Sequence, residues 1–463
     1  MLEGHEICEV KYSYLYSILD YRIESEYFLK KFQRVDKVLS HNKCERFSEI
    51  FDYLNGRPYS STEFSSLPID IDSIYVAKIG DVTKNRPTDM WENISNKEFK
   101  NQKGQFLVEG DILMTLTGDP PDVGKVSYIH GDIGKATWNQ RVSRITLKNP
   151  DYSSCYAYIL LKSEYCRTQI ERYAKGIRQR NLGNDGLESV IVPMLPKDIQ
   201  QKVEKLVESA HSLLEKSKLL YKQAAEQMLS DLGLNGFTPH NTLHTTKRFS
   251  EFSQSGRLDA EYYQTKYDEL LDALKRGKYK TIKELQIINY RGLQPEYVEN
   301  GTIDVINSKH ILEDGLDYEN FEKTDEVSFN GATRSHVQKG DVLTYTTGAN
   351  IGRTQVYFLD KKAMASNHVN ILRVKDVNPV FLALFMNSVI GRMQTERACS
   401  GSAQVELYPD DIANFIVPLL PSEIQTGIAD LVLNSFECKK RSRQLLQDAV
   451  QLVEKEIENM ENR

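Results

Sequence analysis

Ile191-Val-Pro-Met-Leu-Pro196 leads into a run whose residues step by four and three: Ile199, Val203, Leu206, Ala210, Leu213, Ser217, Leu220 and Ala224. Such steps lay side chains along one stripe of an α-helix, here about four heptads long and interrupted only by Ser217. Pro196 stands just ahead of the helix, where its missing N–H is tolerated. The same phrase returns as Ile416-Val-Pro-Leu-Leu-Pro421, and in both places Ile-Gln follows two residues later. The second helix begins with Ile424, Ile428 and Leu431, weakens at Ser435, Cys438 and Ser442, continues through Leu445, Ala449 and Leu452, and fails at Glu456. A line one position on, Leu446, Val450, Val453, Ile457 and Met460, is stronger there, which suggests a stutter or a change of partner face. Two seams of similar length in one chain can bury each other, so a shared antiparallel coiled coil is expected. The alternative is two surface helices, each packed on its own domain.

Working outward from these helices, the chain repeats itself. Arg22-Ile-Glu-Ser-Glu-Tyr-Phe28 returns as Arg257-Leu-Asp-Ala-Glu-Tyr-Tyr263, and Ile74–Val82 returns loosely as Ile303–Ile311. Gly110-Asp-Ile-Leu-Met-Thr-Leu-Thr-Gly118 returns as Gly340-Asp-Val-Leu-Thr-Tyr-Thr-Thr-Gly348. With the Ile-Val-Pro phrase the offsets are 235, 229, 230 and 225, in one order along the chain, which marks a tandem duplication. Each copy has a short helical piece with Arg-x-x-x-Glu-Tyr, then alternating runs bounded by Gly, Pro, Asn and Asp that read as strands and turns. A helical stretch follows (near 155–175 and 379–398), then the Ile-Val-Pro strand and the long helix. The expected fold is α/β (mixed α+β), with two tandem globular repeats, each followed by one of the long helices. The boundaries are 1–195 for the first repeat, 196–232 for the central helix, 233–247 for a Gly- and Pro-containing linker, 248–420 for the second repeat and 421–463 for the C-terminal helix.

A chain of 463 residues has ample length for such an arrangement, and 40% hydrophobic with 27% charged residues is ordinary globular composition. No run of about 18 apolar residues suggests a membrane span. The first residues lack the basic and apolar regions of a secretory signal. Six cysteines, at 8, 44, 155, 166, 399 and 438, form no Cys-x-x-Cys, which fits a reducing cytoplasm and neither a zinc ribbon nor a disulfide framework. A net charge of −6 argues against bulk attraction to a polyanion, so a nucleic-acid binder would have to gather its Lys and Arg on one face.

Catalytic motifs fail on inspection. Gly118-Asp-Pro-Pro-Asp-Val-Gly-Lys-Val126 has five residues between its glycines and no hydroxyl after the Lys, so it is no P-loop. Asp119-Pro-Pro-Asp122 approaches the Asp/Asn-Pro-Pro-aromatic motif of amino-methyltransferases, but Asp122 cannot stack on a flipped base, and no Phe-x-Gly-x-Gly methyl-donor loop is present. A turn is the simpler reading. His240-Asn-Thr-Leu-His244 has no flanking Cys or carboxylate cluster to complete a metal site. Neither a catalytic, a cofactor nor a metal residue is nominated.

What remains is polar and on loops. Lys175-Gly-Ile-Arg-Gln-Arg-Asn181 belongs to a stretch, 162–180, of net charge +4, which suits phosphate contacts and base-edge readout. Ser400-Gly-Ser-Ala-Gln-Val405 stands at the matching place in copy two, with Gln404 aligned to Gln179. Lys84 and Arg86 follow the strand 74–82, and Lys309 and His310 lie within its counterpart. Asn139-Gln-Arg141 aligns with Ser366-Asn-His368. The candidate DNA-reading residues are therefore Lys84, Arg86, Arg141, Lys175, Arg178, Gln179 and Arg180 in copy one, and Arg291, Lys309, His310, Asn367, His368, Ser402 and Gln404 in copy two. Solvated loops and neutral surface drift would leave a similar pattern. Arg22, Glu26, Arg257 and Glu261 are assigned to structure, as an ion pair within each repeat.

The order Arg-Leu-Asp-Ala-Glu-Tyr-Tyr, Gly-Asp-Val-Leu…Thr-Gly-x-x-Ile-Gly, then Ile-Val-Pro-Leu-Leu-Pro-x-x-Ile-Gln opening a long helix, present twice, resembles the specificity subunit of type I restriction–modification systems. The resemblance covers nearly the whole chain; copy one departs from it at the longer turn 117–124. It implies two target-recognition domains, held apart in pseudo-two-fold array by the two long antiparallel helices, that each read half of a split DNA site through the major groove. The spacer helices would dock two modification (methyltransferase) subunits, with restriction (translocase/endonuclease) subunits able to join. It further implies a chain that is not itself catalytic and binds no cofactor, its partner methyltransferase using S-adenosylmethionine. Ile199, Val203, Leu206, Leu213, Leu220, Ile424, Ile428, Leu431, Leu446, Val450 and Val453 are the spacer and docking positions. The alternatives are the recognition subunit of another bipartite restriction system, a protein adaptor that binds no DNA, and an enzyme with an unrecognised site.

Overall fold

The computed structural model describes all residues except 1–8, 13–22, 65–72, 87, 96–98, 100–105, 150–151, 241, 243, 314, 400–404 and 462–463. They fall into two compact units, 1–213 with 441–463, and 214–440. In the first unit the strands are β1 (Cys44–Arg46), β2 (Phe51–Asn55), β3 (Ser73–Ala77), β4 (Glu92–Ser95), β5 (Ile112–Thr115), β6 (Thr117–Gly118), β7 (Val126–Tyr128), β8 (Ala136–Trp138), β9 (Val142–Leu147), β10 (Arg180–Asn181) and β11 (Ile191–Pro193). An antiparallel sheet runs β2-β9-β5-β7, and a second sheet runs β4-β3-β8, with β3 parallel to β8. β1 pairs with β11, and β10 with β6.

The second unit repeats this plan. Its strands are β12 (Tyr279–Thr281), β13 (Gln286–Arg291), β14 (Ile303–Ile306), β15 (Ile311–Leu312), β16 (Gly315–Leu316), β17 (Glu322–Thr324), β18 (His336–Val337), β19 (Val342–Tyr345), β20 (Thr354–Val356), β21 (Ala363–Ala365), β22 (Val369–Val374) and β23 (Ile416–Pro418). The sheets run β13-β22-β19-β20 and β17-β14-β21-β18, again with one parallel pair, β14 with β21.

The repeated phrases are the fasteners of this scaffold. The carboxylate of Asp111 accepts the N–H of Val108 at 2.9 Å and lies 3.9 Å from Arg144 on β9. Its counterpart Asp341 accepts Gln338 N–H at 2.7 Å and holds Arg373 on β22 by a two-pronged pair of 2.7 and 2.9 Å. Each helical stretch is broken once by a serine. Ser163 separates Ser154–Lys162 from Glu164–Tyr173, and Ser388 separates Pro379–Asn387 from Val389–Ala398, each hydroxyl accepting an N–H of the next helix. The Ile-Val-Pro strand is held by a glutamine side chain from the second of these helices. Gln169 exchanges two bonds of 2.8 Å with Ile191, and Gln394 exchanges bonds of 3.0 and 2.8 Å with Ile416. The Gln of Ile-Gln turns back to a carbonyl, Gln200 to Leu195 and Gln425 to Leu420.

Arg257 corrects one expectation. Its guanidinium forks onto Asp259 at 2.6 and 2.6 Å and closes the helix Val389–Ala398 by bonding the carbonyls of Ala398 and Cys399. The ion-pair partner is Asp259; Glu261 and Glu26 are exposed, and Arg22 lies outside the described residues.

The long helices span Lys197–Asp231 and Ser422–Glu461. In the first unit the early part of one meets the late part of the other: Val203 and Val207 share a core with Ala449, Val453 and Ile457, and Ser442 donates to Ala210 O at 2.6 Å. In the second unit the roles are exchanged: Ala224 and Met228 share a core with Ile428, Ala429 and Val432, and Ser435 donates to Ser217 O at 2.7 Å. The two helices therefore run antiparallel within each unit.

The seam keeps Ile199, Val203, Ala210, Ser217 and Ala224 of the expected line in the first helix and Ile428, Ser435, Ser442, Leu445 and Ala449 in the second, and turns partly away from the expected leucines between them. The fully buried line is Val203, Val207, Ala210, Ser217, Ala224 and Met228 in the first helix, with Leu206, Leu213 and Leu220 half-buried beside it. In the second it is Ile428, Val432, Ser435, Ser442, Ala449, Val453 and Ile457; Ile424, Leu431, Leu446 and Val450 are half-buried. Ile428, Ser435, Ser442 and Ala449 keep a seven-residue spacing, and beyond Ala449 the buried line steps by four and four to Val453 and Ile457, the change of face suggested by the sequence. The buried serines are satisfied by hydrogen bonds, Ser435 and Ser442 to facing carbonyls and Ser217 to the Ser435 hydroxyl at 3.0 Å, each worth about 1 kcal/mol.

Candidate nucleic-acid interface

The polar triplets singled out in the sequence meet at the carboxyl ends of the parallel strand pair, the place in a parallel sheet where connecting loops leave a crevice. In the first repeat Ala77 of β3 lies beside Trp138 of β8, and Asn139 N–H bonds Ala77 O at 3.0 Å. Lys78 and Asn139–Arg141 thus leave adjacent strands together. In the second repeat Ile306 lies beside Ala365, and Ser366 N–H bonds Ile306 O at 3.0 Å, bringing Asn307–Lys309 to Ser366–His368. A third segment crosses this edge in both copies, and it needs glycine. A Cβ on Gly56 would stand 2.3 Å from Asn139 O, and one on Gly292 2.1 Å from Ala365 O.

A fourth segment joins through a chain of backbone bonds. Leu116 N–H bonds Arg141 O at 2.9 Å, and Leu182 N–H bonds Leu116 O at 2.8 Å. The counterparts are Thr346 to His368 at 3.1 Å and Leu407 to Thr346 at 3.0 Å. In the first repeat this fastens the basic hairpin 175–181 beside Arg141. The longer turn of copy one does not disturb the junction, because Gly124 N–H returns to Thr115 O and Gly352 N–H to Tyr345 O, both at 2.8 Å.

The first repeat carries an open cleft of about 450 Å³ here, lined by Tyr59, Phe64, Lys78, Gly80, Asn139 and Arg141, among others. Lys78 sits 3.6 Å from the Phe64 ring centre and 2.6 Å from Glu92; Arg57 sits 4.3 Å from the Tyr59 ring centre. Arg141 is exposed, its N–H held by the Asn139 side chain at 3.0 Å. Lys84 and Arg86 are exposed just beyond the helical turn 79–83; Arg86 lies 3.4 Å from Asp81, whose carboxyl is raised from the ordinary range by burial. Lys175, Arg178 and Gln179 are exposed, whereas Arg180 is half-buried in β10 and bonds Glu171 O at 3.2 Å. Exposed cations beside amide side chains can combine phosphate contact with base-edge contact.

Two candidates in the second repeat are corrected. His310 is 1% exposed, and its Nδ1 accepts the Asn307 N–H at 2.9 Å, as Asp81 accepts Lys78 N–H at 2.8 Å in the first repeat. It caps a buried turn and cannot face a duplex. Burial holds its pKa below the usual histidine value despite Glu322 close by. Arg291 is drawn inward to Leu407 O at 2.9 Å and Glu406 at 3.4 Å, and braces the junction just described. Lys309 is exposed but paired with Glu322. His368 is exposed and Asn367 half-buried, while Ser402 and Gln404 lie outside the described residues.

Sequence reasoning missed Lys78, Tyr59 and Phe64. Lys78 was legible in the offset of 229 that pairs it with Asn307; the aromatic rings had no repeat to mark them. Among the described residues no group of three or more His, Cys, Asp or Glu is placed to hold a metal, and no helix is long and apolar enough to cross a membrane. Burial pushes the thiols of Cys44, Cys166 and Cys399 up to about 11, 12 and 11, the direction of inert cysteines.

The family model described as the type I restriction modification DNA specificity domain matches residues 45–219 and again 277–446. No curated protein sequence matches the chain. Similar solved structures include the S subunit of a type I restriction–modification system from M. genitalium, at 12% identity over 90% of this chain and 95% of that one, with a TM-score of 0.41. An HsdS subunit from Thermoanaerobacter tengcongensis is 12% identical over 90% and 96% of the two chains, with a TM-score of 0.28. A chain from a structure on complex assembly and conformational transition of the type I R-M system is 12% identical over 91% and 96%, with a TM-score of 0.29.

Proposed function

We infer how the protein works from one premise: the chain belongs to the type I restriction–modification DNA specificity family, and does so in both of its repeats. It is a DNA-recognition subunit of a type I restriction–modification system. Each repeat reads one half of a split target, and the loops at the carboxyl ends of its parallel strand pair make the base contacts. The observation that supports this is the duplicated junction. The same backbone bonds fasten Arg141 and His368 at one place in two domains, while the side chains offered there differ. A shared scaffold with unlike reading residues is what two unlike half-sites require. The charge of −6 is compatible with this if partner subunits supply much of the sequence-independent phosphate attraction.

Further features of the reading follow from the family. The chain supplies specificity and no chemistry, binds no cofactor, works in the cytoplasm, and joins two modification subunits that use S-adenosylmethionine, with restriction subunits added to them. The first long helix, 35 residues and so about 52 Å, acts with the second as the ruler between half-sites.

The test is selection from a random duplex pool by the full chain co-purified with modification subunits. A split motif with a spacer of one length is the expected result. No enrichment from an intact complex would overturn the reading.

A further inference from the structure

Ile177 is 94% exposed. Single exposed apolar residues are common, but this one sits where the chain is held. Lys175 and Asn181 exchange backbone bonds of 2.9 and 2.8 Å beneath it. Gly176 takes φ +120°, and a Cβ there would stand 2.2 Å from Gln179 O, so the turn accepts no other residue without moving. Arg180 ties the returning strand to Glu171 O, and Asn181 pairs with Thr117. These bonds hold the base of the hairpin, and its tip presents Ile177 outward. On either side of it stand Lys175, Arg178 and Gln179, all exposed, and two backbone bonds away lies Arg141.

An apolar side chain fixed between cations is complementary to a surface that places apolar groups between anions. A DNA duplex offers one such group at the base edges of its major groove, the C5 methyl of thymine, with phosphates on both sides. Resting on the DNA-recognition reading above, we propose that Ile177 is a specificity-determining residue of the first repeat. It packs against a thymine methyl in that repeat's half-site while Lys175 and Arg178 lie on the flanking phosphates. Aligned polar residues in the hairpin cannot supply this preference, because a methyl group offers no hydrogen bond.

The experiment uses the full chain in complex with modification subunits and the split target it selects. Each thymine of that duplex is replaced in turn by deoxyuridine, which lacks only the methyl group, and affinity is read by fluorescence anisotropy. The wild type is expected to lose about fourfold at one thymine, the ratio one buried methyl group gives. Ile177→Val should keep most of that ratio, and Ile177→Ala should bring it to one. Thymines of the other half-site should respond alike in all three proteins. The same deoxyuridine profile in wild type and Ile177→Ala, with the split target still selected, overturns the methyl contact and leaves the DNA reading standing. A uniform loss of affinity in Ile177→Ala, with the profile unchanged, also overturns it and marks a structural or wedge role. If no split target is selected at all, the DNA reading fails and this proposal with it.

Discussion

The two repeats use the same turn at the same place and fill it with opposite chemistry. After β3 the cap is Asp81, a buried acid beside Arg86; after β14 it is His310, a buried imidazole whose neighbourhood pairs Lys309 with Glu322. In the first repeat Arg141, Lys175 and Arg178 are exposed; in the second, Arg291 is drawn into the scaffold and His368 is exposed. The difference teaches which positions the scaffold owns. Asp111 and Asp341, Gln169 and Gln394, and Ser163 and Ser388 make the same bonds in both copies, so they were retained with the fold. Asp81 and His310 differ yet make one capping bond, since either side chain offers an acceptor to the N–H three residues before it, whereas Arg141 and His368 are joined to the scaffold through backbone bonds in both copies, which leaves their side chains free to differ.

The comparison is most strongly stressed by separating the repeats' reading from their spacing. Deleting the heptad Leu214–Leu220 removes about 10 Å of helix. Selection experiments should then return the same two half-sites with a changed spacer, or no binding; an unchanged target would break the ruler. A change confined to one copy comes next. Gly176→Ala forces the basic hairpin to move, and should lower affinity about tenfold or more for duplexes differing in the first half-site while selection at the second is retained. Equal damage at both half-sites would show that the repeats do not read independently.

The paired positions sharpen the comparison further. Arg141→Ala and His368→Ala should each relax preference at one position of one half-site, by about 1–3 kcal/mol for the arginine if it makes a two-pronged base contact. Competition binding with single-base variants is the measurement, and both substitutions acting on the same half-site would refute the assignment. Ser435→Ala removes the buried bond to Ser217 O, and should lower stability by about 1 kcal/mol in chemical denaturation, with no effect on half-site preference.

The smallest effect is in pH. His310 is held neutral in the folded protein, its pKa lowered chiefly by burial. Unfolding lets it take up a proton, so its contribution is fully present above the unfolded histidine value, about 6.5, and is lost as pH falls below that toward the lower folded value. Melting of the wild type between pH 7 and 5 should therefore fall more steeply than that of His310→Asn, which keeps a capping oxygen and does not titrate. Parallel curves would remove the histidine from the account.

What could be read from the amino-acid order is what local pattern and repetition carry. Four phrases in register gave the duplication; stepped apolar residues gave both long helices; Gly-Asp, Pro and Asn marked the turns. The tandem motif order pointed to a recognition subunit. Tertiary structure decided matters that depend on residues far apart in the chain. Ala77 and Trp138 meet only because β3 and β8 pair in parallel, so no local pattern could show that Lys78 and Arg141 share a cleft. His310 and Arg291 look like reading residues in sequence, and burial alone reveals them as cap and brace. Ser217, Ser435 and Ser442 look like breaks in a seam, yet they lie at its centre, because a facing carbonyl or hydroxyl satisfies each one and a serine is small enough to let the two helices close.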